Sequence, residues 1–234
     1  MNQPPKSLLF DFEGTLVDFQ WRLAEAEAEA LKIQTRCRIP IESRSSPHYA
    51  EAMNLALRHQ ERTGRSEAFN LLSALYDRYD ADALDRWQVR PGVKDLLPRI
   101  RDKGLKTGLV SNVGRTSLDR ALIKLDLQAR IDFSVSRNEA LWLKPHPCGL
   151  LMACHGLGCR PAEVLYLGDS LDDIQAARGA GVAVIIISGG QHRLPEIKKA
   201  APEGIITDWE EFPLYWKQDP AVSGFKILRK RSPA

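Results

Sequence analysis

Asp11 and Glu13 follow the apolar run Leu8-Leu9-Phe10, and Ser111 and Asn112 follow Leu109-Val110. Asp169, Ser170, Asp172 and Asp173 follow Leu165-Tyr166-Leu167-Gly168. A single acid after a strand is ordinarily a helix cap, but three polar sets in equivalent places point to one shared site. Asp11 and Asp169 brought together would be two carboxylates, which need a cation between them. Oxygen ligands of this kind suit magnesium, a hard ion that keeps some waters and shares phosphate oxygens. Gly14 lets the chain turn tightly after the first run. Thr15 and Ser111 offer hydroxyls, the amides near Asn112 and Gly114 offer further donors, and Lys144 in Leu143-Lys144-Pro145 adds a positive charge. A carboxylate nucleophile, a metal, hydroxyls, amides and a lysine together describe phosphoryl transfer, where positioning and charge stabilisation supply most of the catalysis.

The elements that must position these groups are short, continuous apolar strands, expected at 7–10, 106–110, 133–135, 164–167, 182–187 and 204–206. Helical patterns follow at 93–103, 117–125 and 171–180. Such alternation implies an α/β fold, a parallel sheet covered on both faces, with ligands gathered beyond the carboxyl ends of its strands. Residues 17–87 break the rhythm. They read as helices at 21–32, 49–60 and 67–77, punctuated by Pro40, Pro47 and Gly64, with no strand. The expected organisation is therefore a core of residues 1–16 and 88–234 with an all-helical insert at 17–87, and Pro91-Gly92 marks the return.

Composition narrows the partners. A hydrophobic fraction of 44%, a charged fraction of 27% and a net charge of +3 describe a globular chain. That charge argues against nucleic acid or a membrane surface as partner. Lys226, Arg229, Lys230 and Arg231 form a local basic cluster, read as a solvated tail. The longest apolar run, 182–187, suits a buried strand, and no targeting or spanning segment is expected. Cys37, Cys148, Cys154 and Cys159 contain no C-x-x-C pair; despite His146 and His155 nearby they read as reduced thiols in a cytoplasmic protein, not as a zinc site. Trp209, Phe212, Tyr215 and Trp216 are expected to pack on the core.

The ordered motifs resemble the haloacid dehalogenase-like hydrolases. The first is Phe10-Asp11-Phe12-Glu13-Gly14-Thr15-Leu16-Val17-Asp18, the second Leu109-Val110-Ser111-Asn112, the third Lys144-Pro145-His146-Pro147. The fourth runs from Tyr166 through Gly168-Asp169-Ser170-Leu171-Asp172-Asp173 to Ala180-Gly181. The resemblance covers the chain to about Asp208. It implies a Rossmann-like core and a cap that closes over the substrate. It also implies an aspartyl-phosphate on Asp11, with Mg2+ held by Asp11, Asp169 and the main-chain carbonyl of Glu13. Ser111, Asn112 and Lys144 would hold the phosphate. Asp173 would orient the lysine and the metal's waters, with Thr15 and Ser170 in the surrounding layer and Asp172 a solvated helix-start acid.

Glu13 departs from the family pattern, which usually places Asp there as acid and then base. The extra methylene moves the carboxylate outward by about 1 Å, a displacement that can cost about a hundredfold in rate. Three explanations stay open: the backbone retreats to accommodate it, the enzyme is slow and specialised, or turnover is lost and the protein is a binding scaffold. The helical cap is similar to that of the subgroup holding phosphoglycolate phosphatase, β-phosphoglucomutase, phosphonatase and the dehalogenases. Gly14-Thr15-Leu16 favours a phosphatase, Glu13 argues against a dehalogenase, and Lys32, the cap's one lysine, reads as a surface residue rather than a phosphonatase Schiff base. The implied substrate is a small phosphomonoester, phosphoglycolate-like or a sugar phosphate. Arg22, Arg36, Arg38, Arg44, Arg58 and His48 are cap groups able to meet an acidic substrate, although a solvated face accounts for each.

Overall fold

The computed structural model describes residues 4–40 and 49–212. Its strands are β1 (Ser7–Phe10), β2 (Lys106–Val110), β3 (Phe133–Val135), β4 (Val164–Gly168), β5 (Ala183–Ile187) and β6 (Gly204–Ile206). They form one all-parallel sheet in the order β3-β2-β1-β4-β5-β6. The apolar stretches read from the sequence are these strands, with β4 running one residue further and β5 starting one later. The helices are α1 (Leu23–Arg36), α2 (Tyr49–Thr63), α3 (Glu67–Leu84), α4 (Val93–Asp102), α5 (Arg115–Lys124), α6 (Cys148–Leu157), α7 (Leu171–Ala180) and α8 (Leu194–Ala200).

Successive strand residues point to opposite faces, and both faces are apolar. Phe10, Leu109, Leu167 and Ile185 join one buried cluster with Leu97 and Ile100 of α4 and Leu118 of α5. Leu9, Val110, Tyr166 and Ile186 join the other with Leu150 of α6, Ile174 of α7 and Ile197 of α8. A strand covered on both sides has no polar face to display, hence the unbroken apolar runs. The sequence did not signal α6, because Gly149 and Gly156 lower its helix propensity. Their missing side chains serve packing: a Cβ at Gly156 would overlap the Phe133 ring, and one at Gly149 would press on Val110 at 2.8 Å.

The chain leaves the sheet after β1 and returns before α4 as a short two-stranded crossing. Val17 bridges Val89 in antiparallel fashion, the Asp18 amide donates to the Gln88 carbonyl, and the Arg90 amide donates to Leu16, each over 3.0 Å. Between the crossings lie α1, α2 and α3, joined by an aromatic cluster. The Trp21 ring sits 4.7, 5.5 and 5.6 Å from those of Tyr49, Tyr76 and Tyr79. Trp209 and Phe212 pack on the core as expected, Trp209 lying 5.9 Å from Phe10. Tyr215, Trp216 and the basic cluster lie outside the described residues, as do Arg44 and His48. The four cysteines are unpaired. Among the described residues no helix is long and apolar enough to cross a membrane.

Candidate active site

β1 and β4 are neighbours in space, and there the strand order reverses: one half of the sheet runs outward through β2 to β3, the other through β5 to β6. The connections depart in opposite directions at such a point and leave a crevice beyond the strand ends. Asp11 enters it directly from β1, its amide donating to the Leu167 carbonyl over 2.8 Å. Asp169 enters from β4, and the start of α7 brings Asp173. Oxygens of the three buried carboxylates lie within 4.8 Å of one another. Gly14, at φ 84°, and Gly190 pass so close to Asp169 that a Cβ on either would overlap its carboxylate.

Lys144 arrives from the loop after β3. Its ammonium donates to Asp11 Oδ1 at 2.5 Å, to Asp173 Oδ1 at 2.8 Å and to the Tyr166 hydroxyl at 3.0 Å. Thr15 donates to the other Asp11 oxygen at 3.1 Å. Asp173 Oδ1 also accepts from Tyr166 at 2.6 Å, and its Oδ2 accepts the amides of Asp169 and Ser170, both at 3.0 Å, and the Ser170 hydroxyl at 2.7 Å. The Ser170 hydroxyl in turn accepts the Asp173 amide, closing a capping box on α7.

Charge is out of balance in this crevice. Three carboxylates face one ammonium, and the nearby Arg90 guanidinium donates to the Gly14 and Ser188 carbonyls. Burial pushes Asp11 up to about 6, against the pull of Lys144. Burial, with Asp173 and Asp11 adding repulsion, holds Asp169 well above the usual carboxylate range. Burial also opposes ionisation of Asp173, but Lys144 and the hydroxyls of Tyr166 and Ser170 outweigh it and keep that group low. An all-oxygen donor set with surplus negative charge fits a hard divalent cation such as Mg2+ between Asp11 and Asp169.

The loop after β2 forms the opposite wall. The Ser111 hydroxyl accepts the Val113 amide at 3.1 Å. The Asn112 side chain clamps the Lys144 backbone, accepting its amide at 3.1 Å and donating to its carbonyl at 3.3 Å. The Gly114 amide, expected as an anion donor, is instead bonded to Asp80 of α3 at 2.9 Å. Asp80 also pairs with Arg137 at 2.7 Å, and Arg137 donates to the Asn112 carbonyl at 2.9 Å. Glu13 lines the crevice, yet its Oε1 accepts from the Gln20 and Trp21 amides, both at 2.7 Å, and from the Trp87 indole at 2.9 Å. Burial pushes its carboxyl up to about 8. The remaining opening is a cleft of about 30 Å³ that Phe19, Tyr49, Asp172 and Gln191 also line.

Residues 8–187 match the family described as haloacid dehalogenase-like hydrolase. The chain belongs to the haloacid dehalogenase-like hydrolases. A phosphoglycolate phosphatase of Nitrosospira multiformis is 29% identical over 210 residues, spanning 87% of this chain and 92% of that protein. A protein of Caldanaerobacter subterraneus provisionally named pyrophosphatase PpaX is 27% identical over 206 residues, covering 87% and 91%. The solved structure of CbbY from Rhodobacter sphaeroides in complex with phosphate superposes with a TM-score of 0.62 at 20% identity, covering 89% and 96%, which establishes the shared fold. Within the family this chain is a hydrolase of the phosphatase type.

For this hydrolase, the structure assembles Asp11, Thr15, Ser111, Asn112, Lys144, Asp169, Ser170 and Asp173 around one crevice, with Glu13 at its edge. Four contributors went unnoticed in the sequence. Tyr166 stands out as the one hydroxyl in the otherwise aliphatic strand β4. Asp80 falls four residues after Tyr76 on the buried stripe of α3, a charged residue where an apolar one belongs. Tyr49, which opens α2 and lines the cleft with Asn112, and Arg137 carry no local signal.

Proposed function

We propose that this hydrolase is a magnesium-dependent phosphatase acting on a small phosphomonoester through an aspartyl-phosphate on Asp11. The observation that carries the reading is the buried trio of Asp11, Asp169 and Asp173, two of which, Asp11 and Asp173, share the Lys144 ammonium. Magnesium bound by the Asp11 and Asp169 carboxylates and the Glu13 carbonyl would neutralise phosphate charge and draw the reacting oxygens together. The chain's own groups divide the remaining work. Lys144, the Ser111 hydroxyl and the Asn112 amide hold the phosphoryl oxygens. Lys144 and Thr15 fix the two Asp11 oxygens, so the nucleophile presents itself in one orientation. Asp173 and Tyr166 hold Lys144 in place.

The Asp11 carboxylate attacks phosphorus as the bond to the leaving oxygen breaks, and Glu13 gives that oxygen its proton. A water oxygen then attacks phosphorus while Glu13 takes the proton back. The bond to Asp11 breaks, and inorganic phosphate leaves. A carboxyl raised to about 8 is protonated near neutrality, as the first step requires. Residues 17–87 act as a cap over the crevice, Phe19 and Tyr49 supplying its inner surface. The small cleft suits a compact substrate such as phosphoglycolate or a sugar phosphate, and the N. multiformis relative bears the former's name. The unpaired cysteines support a cytoplasmic setting. The inert-scaffold alternative is not favoured, since a pure binder has no use for the whole constellation.

The test is hydrolysis of p-nitrophenyl phosphate and phosphoglycolate with magnesium, run beside Asp11→Asn. Magnesium-requiring turnover that disappears in the variant is the expected result. Equal rates in the two proteins would refute the aspartyl-phosphate mechanism.

A further inference from the structure

The helical insert has a second polar cavity, far from the crevice. Trp21, just ahead of α1, bonds Glu13; α2 starts at the cleft with Tyr49; α3 returns to the core with Asp80. The other ends of the three helices therefore meet at the outer tip. That tip lies roughly 20 Å away along the fourteen residues of α1 at 1.5 Å each. There Arg36, Cys37, Arg38, His59, Arg65 and Glu67 line a cavity of about 180 Å³.

Its charge is uneven. Three guanidiniums face one carboxylate, and the single ion pair, Arg36 with Glu67 at 3.3 Å, is solvent-exposed. Among the described residues Arg38 and Arg65 have no carboxylate partner. The His59 ring lines the same cavity. Arg38 stands at φ 55° just past the end of α1, where glycine is the usual residue. A flat, solvated arginine face would not form a recess of this size.

We propose that this cavity binds a small oxyanion of the phosphate class, gripped by the forked donors of Arg38 and Arg65 and by the His59 ring, as a site separate from the catalytic one. Cys37 gives a local reporter. In EDTA, inorganic phosphate should slow alkylation of Cys37, followed by peptide mass spectrometry, while Cys148 is unaffected. The Arg38→Ala/Arg65→Ala variant, altered only at exposed residues, should lose that protection and lower phosphate affinity at the site about tenfold or more. Its turnover should match wild type. No protection of Cys37 in the wild-type protein, or equal protection in the variant, would overturn the proposal. Neither outcome depends on the phosphatase mechanism, because the reporter lies outside the crevice and needs no metal.

Discussion

Asp80→Asn is the sharpest perturbation of the contact between the helical insert and the core. The Asp80 side chain is 1% exposed and that of Arg137 is 2% exposed. One Asp80 oxygen accepts Arg137 at 2.7 Å and the Gly114 amide at 2.9 Å; the other accepts the Trp21 indole at 3.0 Å. All three partners are donors. An asparagine keeps the shape but must turn its own NH2 toward one set of them, and it leaves the guanidinium without its buried counter-charge. Asp77 remains on Arg137 at 2.5 Å, but it is 57% exposed and screened by water. Breaking a buried pair from one side costs about 3–5 kcal/mol, and the surviving Asp77 contact argues for the lower end.

At about 3 kcal/mol, a chain of this size should melt roughly 6–12 °C lower. Activity should fall as well, through kcat more than KM, because Arg137 and Asp80 hold the backbone of the Ser111–Gly114 loop. The assay is a thermal melt beside aryl phosphate kinetics. A companion variant, Asp80→Asn/Arg137→Met, removes the stranded charge and should recover part of the stability, since loss of both partners is gentler than loss of one. A single variant that melts within about one degree of wild type would refute the buried-pair reasoning.

Further outcomes follow from the site. Glu13→Gln keeps an acceptor for Gln20, Trp21 and Trp87 but cannot move a proton, so kcat should drop about a hundredfold or more with the melting temperature nearly unchanged. Tyr166→Phe removes the hydroxyl between Lys144 and Asp173; each retains its other partners, so a loss of about 1 kcal/mol in the melt and a several-fold lower kcat are expected. Magnesium at about a hundred times its Kd should raise stability by about 2.7 kcal/mol, and the rise should vanish in Asp169→Asn. Gly190→Ala changes no reacting group, yet its methyl would displace the Asp169 carboxylate; magnesium-dependent turnover should collapse while the other carboxylates stay in place.

The fold was legible because both faces of a parallel sheet demand apolar residues, so each strand announced itself and each polar set after it marked an edge of the site. Asp11, Ser111, Asp169 and Asp173 needed only that rule. Lys144 lies in a loop, and only its place in the motif order exposed it. What stayed hidden depends on approach through space. Asp80 and Arg137 are 57 positions apart. Arg137 follows a three-residue strand with nothing beside it to mark a buried cation. Gly114 looked like an anion donor because its amide was free in sequence terms; in the folded chain α3 has already claimed it.

Glu13 gives that lesson its mechanistic weight. From sequence, the extra methylene is a misplacement to be tolerated. In the fold, the longer arm reaches the Gln20 and Trp21 amides on the outgoing crossing and the Trp87 indole on the returning one. These are the two passages through which the helical insert joins the sheet. Leu16, Val17, Asp18, Gln88, Val89 and Arg90 pair across the same neck, so a shift of α1–α3 relative to the sheet must strain the contacts that hold this carboxylate. All three donors hold Oε1, so the other carboxyl oxygen is the one that carries the proton, and these bonds set the direction in which it is offered. Under the proposed mechanism, proton transfer and movement of the insert therefore share one set of hydrogen bonds, and a glutamate spans a gap that a shorter aspartate would not close from the same backbone position.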